Sequence, residues 1–292
     1  MMTGERYVNV DGIRTRYFEK GSGPTVVLFH GGNFGSQDAA LSAEDWGLNF
    51  DALAEHLHVF AFDKIGQGLT DNPVRDEDYT MAAVTRHAYG FLTALGLRDI
   101  HPVGHSRGAY PVARLTLEHP ELFKTCILVD TNTLAPGVSK NAAVFANPPV
   151  PRLGRESLRW VLERYSFGHA HITDEWLAAM ERIVALPKTQ ESVRKMEGDG
   201  LRVGQFLPTL AGEKEVTLDR IANRGFGRPT LLAWGYQDPT ATIAQGLDLF
   251  DLIARNTPDS RMVILNQAGH FSYREHPAEF NDLLRSFIQR NA

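Results

Sequence analysis

The sequence predicts an α/β fold built around a mostly parallel sheet. Short, continuous apolar runs at residues 25–29, 58–63 and 125–129 are typical of strands buried on both faces, as in a parallel sheet. Stretches with helical spacing of apolar residues separate these runs, and such alternation indicates βαβ units. A chain of 292 residues is long enough for one large domain of this class with an insertion.

The first elements follow in order from the N-terminus. Residues 7–17 alternate around the pair Asp11-Gly12, which predicts an opening β-hairpin. The strand at 25–29 leads into a long polar loop, residues 30–45. A helix is predicted after it, whose inward positions are Trp46, Phe50, Leu53 and Leu57.

The next helix and the second half of the chain have clear boundaries. Thr80 is the expected N-cap of a helix that Gly96 ends. After Asp130 the alternation of strands and helices stops, and residues 132–210 show only helical patterns. We therefore predict a helical cap at 132–210, inserted after the sixth strand, and a core made of 1–131 and 211–292.

Composition excludes some partners. The net charge of −5 leaves no basic surplus to meet phosphates, so we expect neither nucleic acid nor a membrane as a partner. Cys126 is the only cysteine and lies in an apolar run, which indicates an inert thiol. The polar N-terminus has no signal-peptide core, so a cytoplasmic protein is expected. A homodimer is one hypothesis for its assembly.

The residues 103–108 contain a G-x-S-x-G pattern between a strand and a helix. Ser106 is the central serine, and Gly104 and Gly108 flank it. A serine on such a turn is strained and stands clear of the sheet, as nucleophilic serines do. Ser106 is therefore the candidate nucleophile.

A serine nucleophile needs a base, and the base needs an acid that orients it. In an open parallel sheet these groups collect at the carboxyl ends of the strands. Asp238 and His270 follow the last two predicted strands. The chain order Ser, Asp, His is the one that accompanies a nucleophilic serine on a strand-to-helix turn of this kind. Asp130, which also ends a strand, is the competing acid.

The oxyanion of an acyl-transfer reaction needs preorganised donors. We expect the backbone N–H groups of Gly32 and Arg107 to supply them, and the Arg107 side chain to lie at the surface or on the pocket rim. The pair His169 and His171 lacks further ligands at metal spacing, so we predict no metal and no cofactor.

Together these motifs resemble the α/β-hydrolase superfamily over the whole chain except the cap. The matching segments are His30-Gly31-Gly32, 63–68, 104–108, 235–238 and Gly269-His270. Within it, Trp46 followed by Asn49, Gly269-His270-Phe271 and the tail 275–281 are most similar to the meta-cleavage product hydrolases. That family cleaves carbon–carbon bonds of ring-opened aromatic dienoates.

The resemblance implies a substrate site under the cap. Its expected residues are Gly31, Asn33, Asn49, His105, Phe145, Trp160, Met180, Arg182 and Phe271. His105 stands where the family usually has Asn, and Phe271 where it has Trp. Met180 aligns with the family's carboxylate-binding arginine, so Arg182 is our candidate for that role.

Four functions follow as hypotheses for a small-molecule substrate. The first is a serine hydrolase that cleaves the C–C bond of a dienoate. The alternative is a carboxylesterase or lactonase for small apolar esters, since an aromatic cap predicts an apolar cleft. A cofactor-free lyase or oxygenase and a ligand receptor are less economical, because no member of the triad is missing.

Overall fold

The computed structural model describes residues 2–292, so Met1, the first residue of the predicted core, lies outside it. The described residues form one sheet with the strand order β1-β2-β4-β3-β5-β6-β7-β8. Its strands are β1 Glu5–Val10, β2 Ile13–Lys20, β3 Thr25–Phe29, β4 His58–Phe62, β5 Ile100–His105, β6 Cys126–Val129, β7 Thr230–Gly235 and β8 Ser260–Leu265. The pairs β1–β2 and β2–β4 are antiparallel, and all other neighbours are parallel. The predicted α/β fold with a mostly parallel sheet and an opening hairpin is confirmed.

Both faces of the sheet are buried, as the continuous apolar runs predict. In β3, Val27 and Phe29 face one core cluster, while Val26 and Leu28 face the other. This division follows from the two-residue period of a strand, which sends successive side chains to opposite faces.

Helices cover both faces of this sheet. They are α1 Phe50–Ala54, α2 Met81–Ala94, α3 Ala109–Glu118, α4 Asn141–Val144, α5 Arg155–Tyr165, α6 Asp174–Val184, α7 Pro187–Val193, α8 Leu207–Arg224, α9 Ile243–Ala254, α10 Ser272–Glu275 and α11 Pro277–Arg290. Among the helices of residues 2–292, none combines the length and the apolarity that a membrane crossing requires.

Helix α2 shows how the local sequence sets an element. The Thr80 side chain accepts a hydrogen bond from the Ala83 N–H, as predicted for an N-cap. The helix ends at Ala94, and Gly96 adopts φ 65° after it. Both boundaries are therefore as the capping residues predict.

The segment between β3 and β4 differs from the prediction. The loop after β3 is not exposed throughout, since Phe34 is buried against Tyr79 and Phe206. The expected single helix is a 3₁₀ turn at Ala43–Trp46 followed by α1, so Leu57 lies beyond the helix. Trp46 and Leu57 are nevertheless buried, because apolar side chains reach the core from turns as well as from helices.

We call residues 130–229 the β6–β7 connection. In it lie α4 to α8, and no strand occurs in it, as predicted. The expected boundary at 210/211 falls inside α8, which packs against α2, α3 and α9 of the core. The helical pattern continues without a break across that point, so sequence alone does not mark where the core resumes.

Candidate active site

Ser106 sits on a strained turn between β5 and α3. Its φ is 52°, in the left-handed region that few non-glycine residues adopt. A Cβ at Gly104 would lie 2.5 Å from Ala109 Cα, and one at Gly108 would lie 2.4 Å from the Phe29 carbonyl oxygen. The two glycines therefore let β5, α3 and β3 approach closely enough to hold this turn.

His270 links Ser106 to Asp238. The Ser106 hydroxyl donates to His270 Nε2 over 2.9 Å, and His270 Nδ1–H donates to Asp238 Oδ2 over 2.6 Å. The other carboxylate oxygen, Oδ1, accepts the N–H groups of Thr240 and Ala241, each over 2.8 Å. Asp238 is thereby fixed, and it holds His270 in the tautomer that leaves Nε2 free to accept a proton.

The competing acid, Asp130, is bonded elsewhere. Its Oδ1 accepts the Gly235 N–H over 2.6 Å, and its Oδ2 accepts the Ser272 hydroxyl over 2.5 Å. Burial, and to a lesser degree the charge of Asp238, hold the pKa of Asp130 well above its usual range. A neutral carboxyl that ties β7 to α10 cannot balance an imidazolium, so the geometry pairs His270 with Asp238.

His105 supports the histidine from below. The buried His105 donates Nε2–H to the backbone carbonyl of His270 over 2.8 Å, and its ring lies 4.9 Å from that of His270. Burial and the nearby His270 hold the pKa of His105 well below its ordinary value, which keeps its ring neutral. The prediction placed His105 against substrate, whereas the structure places it behind His270.

The end of α5 holds the histidine from above. The Tyr165 carbonyl accepts the His270 N–H over 2.8 Å, and the two rings stack with centroids 4.5 Å apart. Glu275 Oε2 accepts the N–H groups of Phe167 and Gly168, while Oε1 accepts the N–H of Gly269. The β6–β7 connection is therefore bound directly to the His270 loop.

The predicted oxyanion loop lies against Ser106. A Cβ at Gly31 would lie 3.0 Å from His105 Nδ1 and 3.2 Å from Ser106 Cβ, which leaves little room for any larger residue. Gly32 adopts φ 68° and lines the same cavity as Ser106. The second predicted donor, Arg107, opens the turn that follows Ser106, where backbone N–H groups lack intrahelical partners.

A cavity of about 200 Å³ opens in front of Ser106 and His270. Its wall is mostly polar, so the apolar cleft expected from the aromatic cap is wrong. The polar lining consists of Asn33, Ser36, Asp38, Arg107, Asn132, Ser139, Asn141, Tyr165 and Arg202. A larger cavity of about 520 Å³, near Val10 and Gly90, contains no activated nucleophile. The smaller cavity is therefore the candidate active site, because Ser106 and His270 line it.

Of the two positions expected for the Arg107 side chain, the surface and the pocket rim, the structure shows the second. The side chain lies in the cavity wall over the Phe206 ring, 5.3 Å from its centroid. Its Nη1 is buried without a hydrogen-bond partner in the described part of the chain, and burial lowers the pKa of Arg107 to about 10. A guanidinium in this position can receive an anionic group beside the nucleophile.

Arg182 lies away from this cavity. Its Nη2 donates to Glu44 Oε1 over 2.9 Å, and Glu44 also binds Arg16. Arg182 lines a separate cavity with Arg16 and Leu186. The expected carboxylate-binding role of Arg182 is therefore not supported, because its guanidinium pairs with Glu44 and lines a different cavity from Ser106.

Five other expected substrate residues also lie outside the cavity wall. Asn49 donates to the Tyr273 carbonyl and to Asn281, which ties the start of α1 to α11. The others are buried or partly buried in the apolar core that packs behind the cavity, and they are Phe145, Trp160, Met180 and Phe271. Gly32 and Asn33 line the cavity as expected, and Gly31 supports it.

Several residues of the cavity wall escaped the sequence analysis. Asn132 follows Asp130 at the carboxyl end of β6, a position that could have marked it. Tyr165 and Arg202 had no such signal, because only the packing of the β6–β7 connection on the core brings them to Ser106. Asp38 lies in the loop after β3, where the sequence shows no periodicity that would place it. Among residues 2–292, no group of three or more His, Cys, Asp and Glu side chains is arranged to hold a metal ion.

Known hydrolases are similar to this chain over most of its length. Residues 24–277 match the family model described as alpha/beta hydrolase fold. A 2-hydroxy-6-oxo-6-(2'-aminophenyl)hexa-2,4-dienoic acid hydrolase of Metapseudomonas resinovorans is 28% identical, over 99% of this chain and 92% of its own length. A 2-hydroxymuconate semialdehyde hydrolase of Pseudomonas sp. (strain CF600) is 25% identical, over 97% of this chain and 93% of its own length.

A solved structure extends the comparison to three dimensions. A serine hydrolase involved in carbazole degradation superimposes with a TM-score of 0.77 at 25% identity, and the match covers 98% of both chains. The family match spans most of the sequence, and the fold agrees over nearly its whole length. The chain is therefore a hydrolase that belongs to the alpha/beta hydrolase fold family.

Proposed function

We propose that this protein is a serine hydrolase that cleaves a carbon–carbon bond of a ring-opened aromatic dienoate. The observation that carries the proposal is the connected chain from Ser106 through His270 to Asp238, with bonds of 2.9 and 2.6 Å. Relatives along the whole chain are named as hydrolases of such dienoates. The substrate site and the roles assigned to individual residues are our proposals.

The first step forms a covalent intermediate. His270 Nε2 takes the Ser106 proton as Oγ attacks the ketone carbonyl, and Asp238 stabilises the resulting imidazolium. The carbonyl oxygen becomes an oxyanion that accepts the N–H groups of Gly32 and Arg107. One such donor typically lowers the barrier by about 3 kcal/mol.

The carbon–carbon bond breaks when this intermediate collapses. This requires the keto tautomer of the substrate, in which the proton of the 2-hydroxyl group has moved to the carbon next to the ketone. The oxyanion then re-forms a carbonyl, and the electron pair of the broken bond moves onto that carbon, where conjugation with the new 2-oxo group delocalises it. The His270 imidazolium then gives its proton to the fragment that contains that carbon. Water, activated by the neutral His270, hydrolyses the acyl-Ser106 ester and releases the second product as a carboxylic acid.

The cavity supports an anionic substrate. Arg107 and Arg202 both line it, and the buried Nη1 of Arg107 has no hydrogen-bond partner among residues 2–292. A dienoate carboxylate would supply that partner, whereas a small apolar ester would leave Arg107 Nη1 unpaired at a cost. Arg202 already pairs with Glu197 over 2.6 Å and adds positive charge to the same wall. We therefore assign to Arg107 and Arg202 the carboxylate-binding role first expected of Arg182.

The test of substrate class is an absorbance assay with the purified protein. A ring-cleavage dienoate should lose its visible colour as the conjugated chain is cut, and p-nitrophenyl butyrate should turn over far more slowly. Rapid turnover of the ester with an inert dienoate would reject the proposal in favour of an esterase or lactonase.

The carboxylate site is tested by substitution with methionine. Arg107→Met and Arg202→Met should each lower kcat/KM for the dienoate by about 10- to 150-fold, equivalent to the loss of 1.5–3 kcal/mol for a hydrogen bond to a charged group. Neither change should affect a neutral ester comparably. Arg182→Met is the matched control, and a larger loss there would return the role to Arg182.

Four further expectations stay predictions. They are the division into a core and a cap, the independence from metals and cofactors, a homodimeric assembly and a cytoplasmic location. Incubation with EDTA tests the second, since the oxyanion donors are amides and the nucleophile is a side chain. Activity that falls with EDTA and returns with zinc would contradict it.

A further inference from the structure

Lys64 is a buried lysine that the proposed mechanism does not use. It follows β4 and is only 1% exposed. Its Nζ donates to the Gly31 and the Gly32 carbonyl oxygens, each over 3.0 Å. Gln67 Nε2 adds a longer bond of 3.3 Å to the Gly31 oxygen. One ammonium group therefore spans two successive carbonyls of the oxyanion loop.

The Gly31 carbonyl and the Gly32 N–H belong to the same peptide group. A hydrogen bond to that oxygen polarises the group and makes its N–H a stronger donor, since hydrogen bonds in a chain reinforce one another. The bond also fixes the plane of the peptide, and the plane sets the direction in which the Gly32 N–H points. Lys64 thus acts on the donor that faces the reacting carbonyl.

The loop has a second tether beside Lys64. His30 donates Nδ1–H to the Gly31 oxygen and accepts the backbone N–H of Lys64 at Nε2. Burial and the charge of Lys64 hold the pKa of His30 well below its ordinary value, so His30 is a neutral bridge. Lys64 is therefore the group that can bring positive charge to the carbonyl side of this loop.

The surroundings of Lys64 make its ammonium group easier to deprotonate. Burial is the main cause that lowers the pKa of Lys64 to about 7, the guanidinium of Arg107 lowers it further, and Asp45 raises it. The other titratable groups that face it are His30 and His105, and burial keeps both neutral. Lys64 can therefore lose its proton near neutral pH.

We propose that Lys64 is a positioning residue of the oxyanion hole, which orients and polarises the Gly31–Gly32 peptide and adds positive charge behind the developing oxyanion. The inference rests on the proposed function, since it requires a carbonyl or phosphonyl group to react at Ser106. It adds a control by pH: loss of the Lys64 proton leaves the loop in place but weakens its donor.

A fluorophosphonate probe tests this without any choice of substrate. Ser106 Oγ forms the bond to phosphorus, fluoride leaves, and the Ser106 proton passes to His270, while the phosphonyl oxygen takes the place of the oxyanion. Lys64→Met should label about 10- to 100-fold more slowly, somewhat less than the loss of a whole oxyanion donor. Lys188→Met is the matched control, since Lys188 is partly buried, with a pKa that burial lowers to about 8, and it should label at the wild-type rate.

The pH profile separates this role from a merely structural one. In the wild type, labelling should fall as Lys64 loses its proton. Lys64→Met should lack the falling limb while keeping the thermal transition of a folded protein. The wild-type profile needs no variant, so it tests the role of Lys64 even if Lys64→Met does not fold.

Two outcomes would overturn the inference alone. One is a folded Lys64→Met protein that labels at the wild-type rate, and the other is a wild-type profile with no fall above about pH 7. A wild-type protein that does not label at all would instead remove the proposed function, and the role of Lys64 with it.

Discussion

Ser106 contributes chemistry more than packing. Its hydroxyl bonds to His270, and its backbone strain is held by the two flanking glycines. Ser106→Ala should therefore leave the fold intact and lower turnover by about 10⁴- to 10⁶-fold, the range for loss of a triad nucleophile. Single-turnover assays and a thermal melt check both parts. Turnover within tenfold of the wild type would exclude Ser106 as the nucleophile, and Ser157→Ala in α5 is the control.

The two buried aspartates at the strand ends should respond differently to removal of charge. Asp238→Asn removes the anion that balances the His270 imidazolium, and a loss of about 10⁴-fold in kcat is expected. Asp130 is held neutral by its burial, so Asp130→Asn should cost less than about tenfold and act mainly on stability. Steady-state kinetics of the pair would reassign the acid to Asp130 if the ranking were reversed.

Residues on the core were easier to foresee than residues on the β6–β7 connection. Ser106, Asp238 and His270 follow β5, β7 and β8, and parallel strands bring such positions to one edge of the sheet. Arg202 reaches the same cavity only through the path of α7 and the turns before α8. Sequence periodicity gives no information on that path, so the sequence does not point to Arg202. Arg107 adjoins Ser106 in the core, but the local sequence does not show that its side chain faces the cavity.

Alanine substitutions at two glycines test how closely the elements pack. A Cβ at Gly108 would meet the Phe29 and His30 carbonyl oxygens at 2.4 and 2.5 Å, so Gly108→Ala should destabilise the fold by about 1–3 kcal/mol or more. Gly212 lies inside α8 with nothing within 4 Å of its Cβ position. Gly212→Ala should stabilise by about 0.5–1 kcal/mol, since alanine favours the helix. Urea unfolding of both variants measures these values, and equal effects would contradict the packing argument.

Helix existence was more predictable than helix ends. Thr80 caps the helix that it was expected to begin, and Thr173 caps α6 in the same way, because a cap needs only local residues. The break between Trp46 and α1, and the passage of α8 across 210/211, depend on what the segments pack against. Tertiary contacts therefore decide those boundaries, and local patterns do not carry that information.

Across the whole molecule, buried neutral histidines should make the fold sensitive to acid. Burial lowers the pKa of His87 and His101 to about 4 and of His171 to about 3. The unfolded chain binds protons at these groups from about pH 6.5 downwards, whereas the folded chain does not, so stability falls as pH drops from 6.5 towards 4. His30 and His105, whose pKa values burial also lowers, add to this trend. Four acids whose pKa values burial raises oppose it, namely Asp45, Asp130, Glu213 and Glu275, so five histidines act against four acids.

Urea unfolding at pH 7, 6 and 5 checks this prediction. In His87→Gln the free energy of unfolding should fall less steeply with decreasing pH than in the wild type. The difference in slope should approach the value for one proton, about 1.4 kcal/mol per pH unit. The same change at the exposed His56 is the matched control. A wild-type protein that gains stability between pH 6.5 and 5 would show that the buried acids dominate.

The bond from the His270 N–H to the Tyr165 carbonyl limits how this architecture can be recombined. A chimera that took its β6–β7 connection from a relative would lose that acceptor and the two N–H donors that hold Glu275, unless the donor chain followed the same path at 165–168. An unpaired buried N–H is costly, and the loop that carries the base would shift with it. Sequence changes that alter the substrate range are therefore expected in α6, α7 and the turns after them. The end of α5 should change only together with the loop that carries His270.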